Sequence, residues 1–87
     1  MARIASFGDI SIDLMMEVDR YPMPGEETFA PHALTGLGGS AVTTAANLAR
    51  LGFEVGVLGQ VGDDQFGEAA RQSLIAVGVD TSFVRVA

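Results

Sequence analysis

The 87-residue sequence contains no lysine, no cysteine and no tryptophan. Without cysteine there are no disulfides, no thiolate metal sites and no thiol nucleophile, and compartment is left open. Without lysine there is no Walker-type phosphate loop, whose motif requires one. Positive charge is scarce as well: five arginines against 11 acidic residues give a formal net charge of −6. That balance argues against a nucleic-acid backbone or an anionic membrane surface as partner, since both need clustered basic side chains. No apolar run approaches the ~18 residues that span a bilayer. The apolar start ends at polar Asp9, too soon for a signal peptide. The cytoplasm is the expected location by default.

What the chain does have is apolar residues and glycine. Hydrophobic residues make up 48% and charged residues 18%, which indicates a globular chain with a core, of one domain at most or a piece of one. Ile4 to Gly8 reads as a short buried strand stopped by glycine. From Ile10 to Val18 apolar and polar residues alternate, which predicts a half-buried strand with Asp13 on the side away from the apolar face. Tyr21 to Glu26 holds two prolines and reads as a stiff extended connection ending in a turn. Glu27 to Leu34 is expected to return as an edge or irregular strand, because Pro31 interrupts it. Together, residues about 10 to 36 form a small flap inserted after the first strand.

Gly38-Gly39 then opens a small-residue helix, Ser40 to Leu51, closed by Gly52. Val42, Ala45, Ala46 and Ala49 fall on one helical face. Val55 to Gly59 is a nearly all-apolar strand, expected to be covered by helices on both faces. Asp63 or Asp64 caps a second helix running to about Val77, with Phe66, Ala70, Leu74 and Val77 in one stripe and Gly78 ending it. Val79-Asp80 turns the chain into a third strand at Phe83 to Val86. This strand–helix–strand rhythm predicts right-handed crossovers and a parallel sheet, an α/β fold.

Several segments could carry chemistry. Gly36 to Ala41 matches the dinucleotide fingerprint, but the preceding residues are polar and hold a proline, and no acid ends the next strand at Gly59-Gln60. The glycine turn still offers close approach and an N-terminal helix end rich in N–H donors. Asp13 follows the first strand's C-terminal end, where open α/β sheets bind ligands. It reads either as a solvated strand residue or as a carboxylate accepting hydrogen bonds from vicinal hydroxyls, opposite that helix start. The second arrangement would suit a sugar or polyol. His32 reads as a surface residue, Asp63-Asp64 as a helix cap in preference to a metal site, and Met15, Met16 and Met23 as lid or interface packing.

In order and spacing, Gly8-x-x-x-x-Asp13, Pro22-Met23-Pro24-Gly25-Glu26, Gly38-Gly39-Ser40-Ala41, Ala46-x-Leu48-Ala49-Arg50-Leu51-Gly52 and Gly59-x-Val61-Gly62-Asp63-Asp64-x-Phe66-Gly67 resemble the ribokinase/PfkB family of carbohydrate kinases across essentially the whole chain. The resemblance implies a ribokinase-like α/β fold, a parallel sheet flanked by helices with a small β lid that commonly forms a dimer interface. It implies that Asp13 binds sugar hydroxyls, that Ser11 lines the same pocket, and that Gly38, Gly39 and Ser40 contact the sugar. The family's usual asparagine falls on Thr43, so the hydrogen-bond pattern there must differ. ATP and Mg²⁺, with a monovalent cation as a further candidate, are implied for the whole enzyme. The acceptor is expected to be a sugar, sugar acid or nucleoside. The family's catalytic aspartate, its anion hole and its ATP site belong to a C-terminal half whose motifs do not occur here. The alternatives are a non-catalytic sugar- or nucleoside-binding module and an inactive folding fragment.

Overall fold

The computed structural model describes residues 3–87. Its elements in chain order are β1 (Arg3–Phe7), β2 (Ser11–Glu17), β3 (His32–Gly38), α1 (Ser40–Arg50), β4 (Glu54–Val61), α2 (Gln65–Ala76) and β5 (Val84–Val86). Three strands form a parallel sheet in the order β1-β4-β5, and β2 and β3 pair antiparallel as a separate hairpin. The register runs from Arg3 opposite Glu54 to Phe7 opposite Leu58, and from Gly59 opposite Val84 to Val61 opposite Val86. Parallel neighbours need long crossovers, and α1 and α2 supply them.

The core forms where both helices meet one face of this sheet. Val55 and Val57 alternate onto that face and pack with Val42 and Ala45 of α1, Leu74 of α2, and Val79. Small side chains at 42 and 45 let α1 approach β4 closely. Leu74 and Val57 are the largest fully buried side chains, each worth about 1.5–3 kcal/mol of burial. The opposite face of the sheet carries Ala5 and fully open Phe7, at 84% exposure, with no helix over them among the described residues. Among the described residues β4 is therefore covered by helices on one side, where its composition suggests two. Two successive crossovers in the same direction, β1 to β4 and β4 to β5, put both helices on the same side.

The helices end close to where local chemistry places them. Asp64 caps α2 by accepting from the Gly67 backbone N–H at 2.8 Å. Gly67, Ala70 and Leu74 form the buried stripe of α2, and Phe66, expected in it, points half outward at 51% exposure. Gly67 takes the inward place because the Gly62 carbonyl abuts its Cα and leaves no room for a side chain. Asp80, expected in a plain turn, already pairs in parallel with β4: Asp80 N–H donates to Val55 O, and Val57 N–H donates to Asp80 O.

The hairpin departs most from expectation. Its return strand occupies His32–Gly38, not Glu27 to Leu34, because the chain resumes a regular ladder only after Pro31, which has no N–H to donate. β2 is mostly exposed instead of half-buried, with only Ile12 partly covered. The connection between the strands is braced locally. Glu26 N–H donates to Met23 O at 2.9 Å around Pro24-Gly25, and Gly25 takes φ +80°, as a type II turn requires. Arg20 reaches Glu26 at 2.7 Å, and with the Met23 N–H it holds the Glu26 carboxyl below its usual value. Among the described residues no helix is long and apolar enough to cross a membrane.

Two outcomes test this packing. Leu74→Ala should lower the unfolding free energy by about 2–5 kcal/mol, read as a fall in the urea midpoint. At Asp80, the Ser82 hydroxyl and then the Ser82 backbone N–H hold the carboxyl below its ordinary value. A lowered folded value means stability present at neutral pH and lost as pH falls through that value. Asp80→Ala should therefore destabilise at pH 7, and its unfolding midpoint should converge on the parent's below about pH 4.

Candidate functional site

The site forms where the end of β1 meets the start of α1. Gly39 adopts φ +104°, in the region that glycine favours, and the Asp9 carbonyl occupies the place where a side chain would stand. A Cβ on Gly8 would touch the Ala41 side chain at 3.2 Å and Ser40 Oγ at 3.6 Å. Just inside, the buried Ser6 hydroxyl donates to Ala41 O at 2.8 Å, tying β1 to the first turn of α1. These contacts fix the helix start against the C-terminal end of a parallel strand, where α/β sheets place their ligands.

Asp13 enters this junction from the hairpin. Ser11 pairs with Gly38 and Asp13 with Gly36, so both side chains share one face of β2. The Asp13 carboxylate lies directly over the Gly38 Cα: a Cβ there would stand 2.5 Å from Oδ2 and 2.9 Å from Cγ. Gly38 is buried, and its missing side chain is what admits the carboxylate. Ser11 Oγ reaches Asp13 Oδ1 in a long contact of 3.5 Å. A carboxylate one residue from a helix start is also favoured by the helix dipole.

The two helix starts differ. α2 has an aspartate cap and Glu68 in its first turn, whereas α1 has neither a side-chain cap nor an acidic residue there. Thr43 N–H closes the first turn on Gly39 O at 3.0 Å, leaving the N–H groups before it without a side-chain acceptor. Ser40 and Thr43 sit exposed on this turn. The structure thus gathers Ser11, Asp13, Gly38, Gly39 and Ser40 around one junction, with Thr43 one turn along.

Beside the junction an open cleft of about 960 Å³ runs along the C-terminal strand ends, lined by Gly8, Asp9, Ser11, Gly39, Gln60 and Arg85 among others. Asp13, Gly38, Ser40 and Thr43 border the junction and not this cleft. Asp9, Gln60 and Arg85 carried no motif. The rule that ligands gather at the C-terminal ends of parallel strands could have singled them out. Among the described residues no three His, Cys, Asp or Glu side chains converge, and the sequence has no lysine.

The comparisons agree with this architecture. The pfkB family carbohydrate kinase model matches residues 1–87. The ATP-dependent ribose-1-phosphate kinase of Halopiger xanaduensis is 41% identical over 99% of this chain and 29% of its own length. The ribokinase of Bacillus subtilis is 37% identical over 97% of this chain and 29% of its own. The chain thus spans a little under a third of the length of these relatives. The structure of Arabidopsis thaliana ribokinase complexed with ribose and ATP superposes with a TM-score of 0.81 at 28% identity, over 97% of this chain and 27% of that one. The parallel sheet with its helices on one face and its separate antiparallel hairpin is thus a ribokinase-like fold, and the chain belongs to the pfkB family of carbohydrate kinases.

Proposed function

We propose that this chain is the acceptor-binding N-terminal part of an ATP-dependent kinase that phosphorylates a hydroxyl of a sugar, sugar acid or nucleoside. One observation carries the reading: the Asp13 carboxylate seated on Gly38, beside a helix start with no cap of its own. A polyol presents hydroxyls that both donate and accept. Asp13 accepts from two of them, while Ser11, Ser40, Thr43 and the first-turn N–H groups face their oxygens. Gly38 and Gly39 shape the pocket by letting the Asp13 carboxylate and the Asp9 carbonyl sit against the backbone there.

In this reading Asp13 orients the acceptor and does not deprotonate it. In-line phosphoryl transfer also needs a base on the attacking hydroxyl and positive groups on the transferred phosphoryl. Those come from the part of the enzyme beyond this chain, as does the ATP site. Bound Mg²⁺ would neutralise charge on the phosphates, and a monovalent cation is a further candidate. The hairpin acts as a lid over the acceptor, inserted between the first strand and α1 over residues about 10 to 36. Its outer side is a candidate dimer surface. The location that fits this reading is the cytoplasm.

The test is ATP-dependent phosphorylation by the full-length enzyme, with D-ribose, ribose 1-phosphate, a sugar acid and adenosine as acceptors. Asp13→Ala should raise the acceptor KM roughly 10- to 100-fold, the worth of one or two charged hydrogen bonds. A KM close to the parent's would remove Asp13 from the site. Gly38→Ala makes a second, independent probe, because it leaves the carboxylate in the chain and only pushes it aside. It should raise the acceptor KM in the same direction, at a stability cost within about 1 kcal/mol, since a flexible side-chain end can move. Unchanged ADP release with every acceptor added would mark a non-catalytic module instead.

A further inference from the structure

The lid hairpin carries an apolar pair on its polar side. Its register places Ser11, Asp13, Met15 and Glu17 on one face, with Leu34 and Gly36 from the facing strand. Met15 and Leu34 are direct cross-strand partners, exposed at 53% and 67%. Gly36 is the cross-strand partner of Asp13, and the Met15 Cε methyl lies 3.5 Å from where a Gly36 Cβ would stand. Met15 therefore folds along the sheet toward Asp13, over a position with no side chain. The other face of the hairpin turns Ile12 and Leu14 toward α2. Two large apolar groups beside a carboxylate, with nothing among the described residues over them, call for an occupant that is polar at one edge and apolar on its face.

We propose that Met15 and Leu34 form an apolar cover that packs on the C–H face of the acceptor sugar while Asp13 holds its hydroxyls. This rests on the reading of Asp13 given above. A sugar ring has hydroxyls at its rim and C–H groups on its faces, so a carboxylate gripping the rim leaves a face for apolar contact. Burying that face also keeps water from competing with the acceptor hydroxyl for the phosphoryl group. The unbranched thioether of Met15 adapts to different ring outlines, which makes this position a determinant of acceptor range.

The test uses the full-length enzyme with D-ribose, ribose 1-phosphate and adenosine as acceptors. Met15→Ala should raise the acceptor KM about tenfold, with the ATP KM unchanged and more ADP released per acceptor phosphorylated. Leu34→Ala should shift the acceptor KM in the same direction, and Met15→Leu should restore it. Met16→Ala, on the opposite face of the same strand, should leave it alone. An acceptor KM within about twofold of the parent's in Met15→Ala and Leu34→Ala would overturn the cover, on the tenfold scale just set. So would an equal rise in Met16→Ala, or a change in oligomeric mass at unchanged KM, which would make the face a contact with a second copy. Asp13→Ala run alongside separates the two failures. If it raises the KM and the Met15 and Leu34 variants do not, only the cover falls; if it too does nothing, the acceptor site falls.

Discussion

Everything in this chain that bears on chemistry depends on two backbone positions with no side chain. At Gly39 the Asp9 carbonyl fills the space a Cβ would need, and at Gly38 the Asp13 carboxylate does. The first contact locks the end of β1 to the start of α1. The second lets a side chain from the hairpin reach that same point. Fill the Gly39 gap and the strand end and helix start are forced apart; fill the Gly38 gap and the lid's carboxylate is pushed off the junction. A steric allowance of one carbon on each residue thus decides whether a carboxylate and a set of N–H donors share a junction.

Around that junction the packing is one-sided. Both helices lie on the face presented by Val55 and Val57, and the hydrogen-bonded detour at Asp80 extends the grip of β4 on the following chain before β5 begins. The face bearing Ala5 and Phe7 is bare among the described residues, and the relatives are more than three times as long. The hairpin, by contrast, reaches the core through Leu37 of β3. It is held by its own ladder, by the Met23–Glu26 turn and by the Arg20–Glu26 pair.

The sequence was readable where structure is local. Asp64 and Gly78 bound α2 because caps act within a turn, and the alanines of α1 show their face through helical spacing. It misled where neighbours are distant. Five of the seven residues of the return strand, His32, Ala33, Thr35, Gly36 and Gly38, are polar or small, so no period marks it, and only pairing with β2 defines it. Two-sided burial of β4 could not be judged from its apolar run, because the run does not say on which side the crossovers fall. For the site, motif spacing pointed to Asp13 and Gly38, yet their contact depends on a hairpin register that pairs residues more than twenty apart. The facing of Met15 with Leu34 was hidden for the same reason.

The uncapped start of α1 has a thermodynamic side. α2 carries its own acceptor in Asp64, so its first turn is complete in the free protein. α1 has only Gly39 there, and no side chain caps its first N–H groups. An acceptor oxygen placed at that end would do for α1 what Asp64 does for α2. Ordering of the first helical turn and capture of the small molecule would then be one equilibrium, and amide exchange at Ser40 to Val42 would slow in step with occupancy.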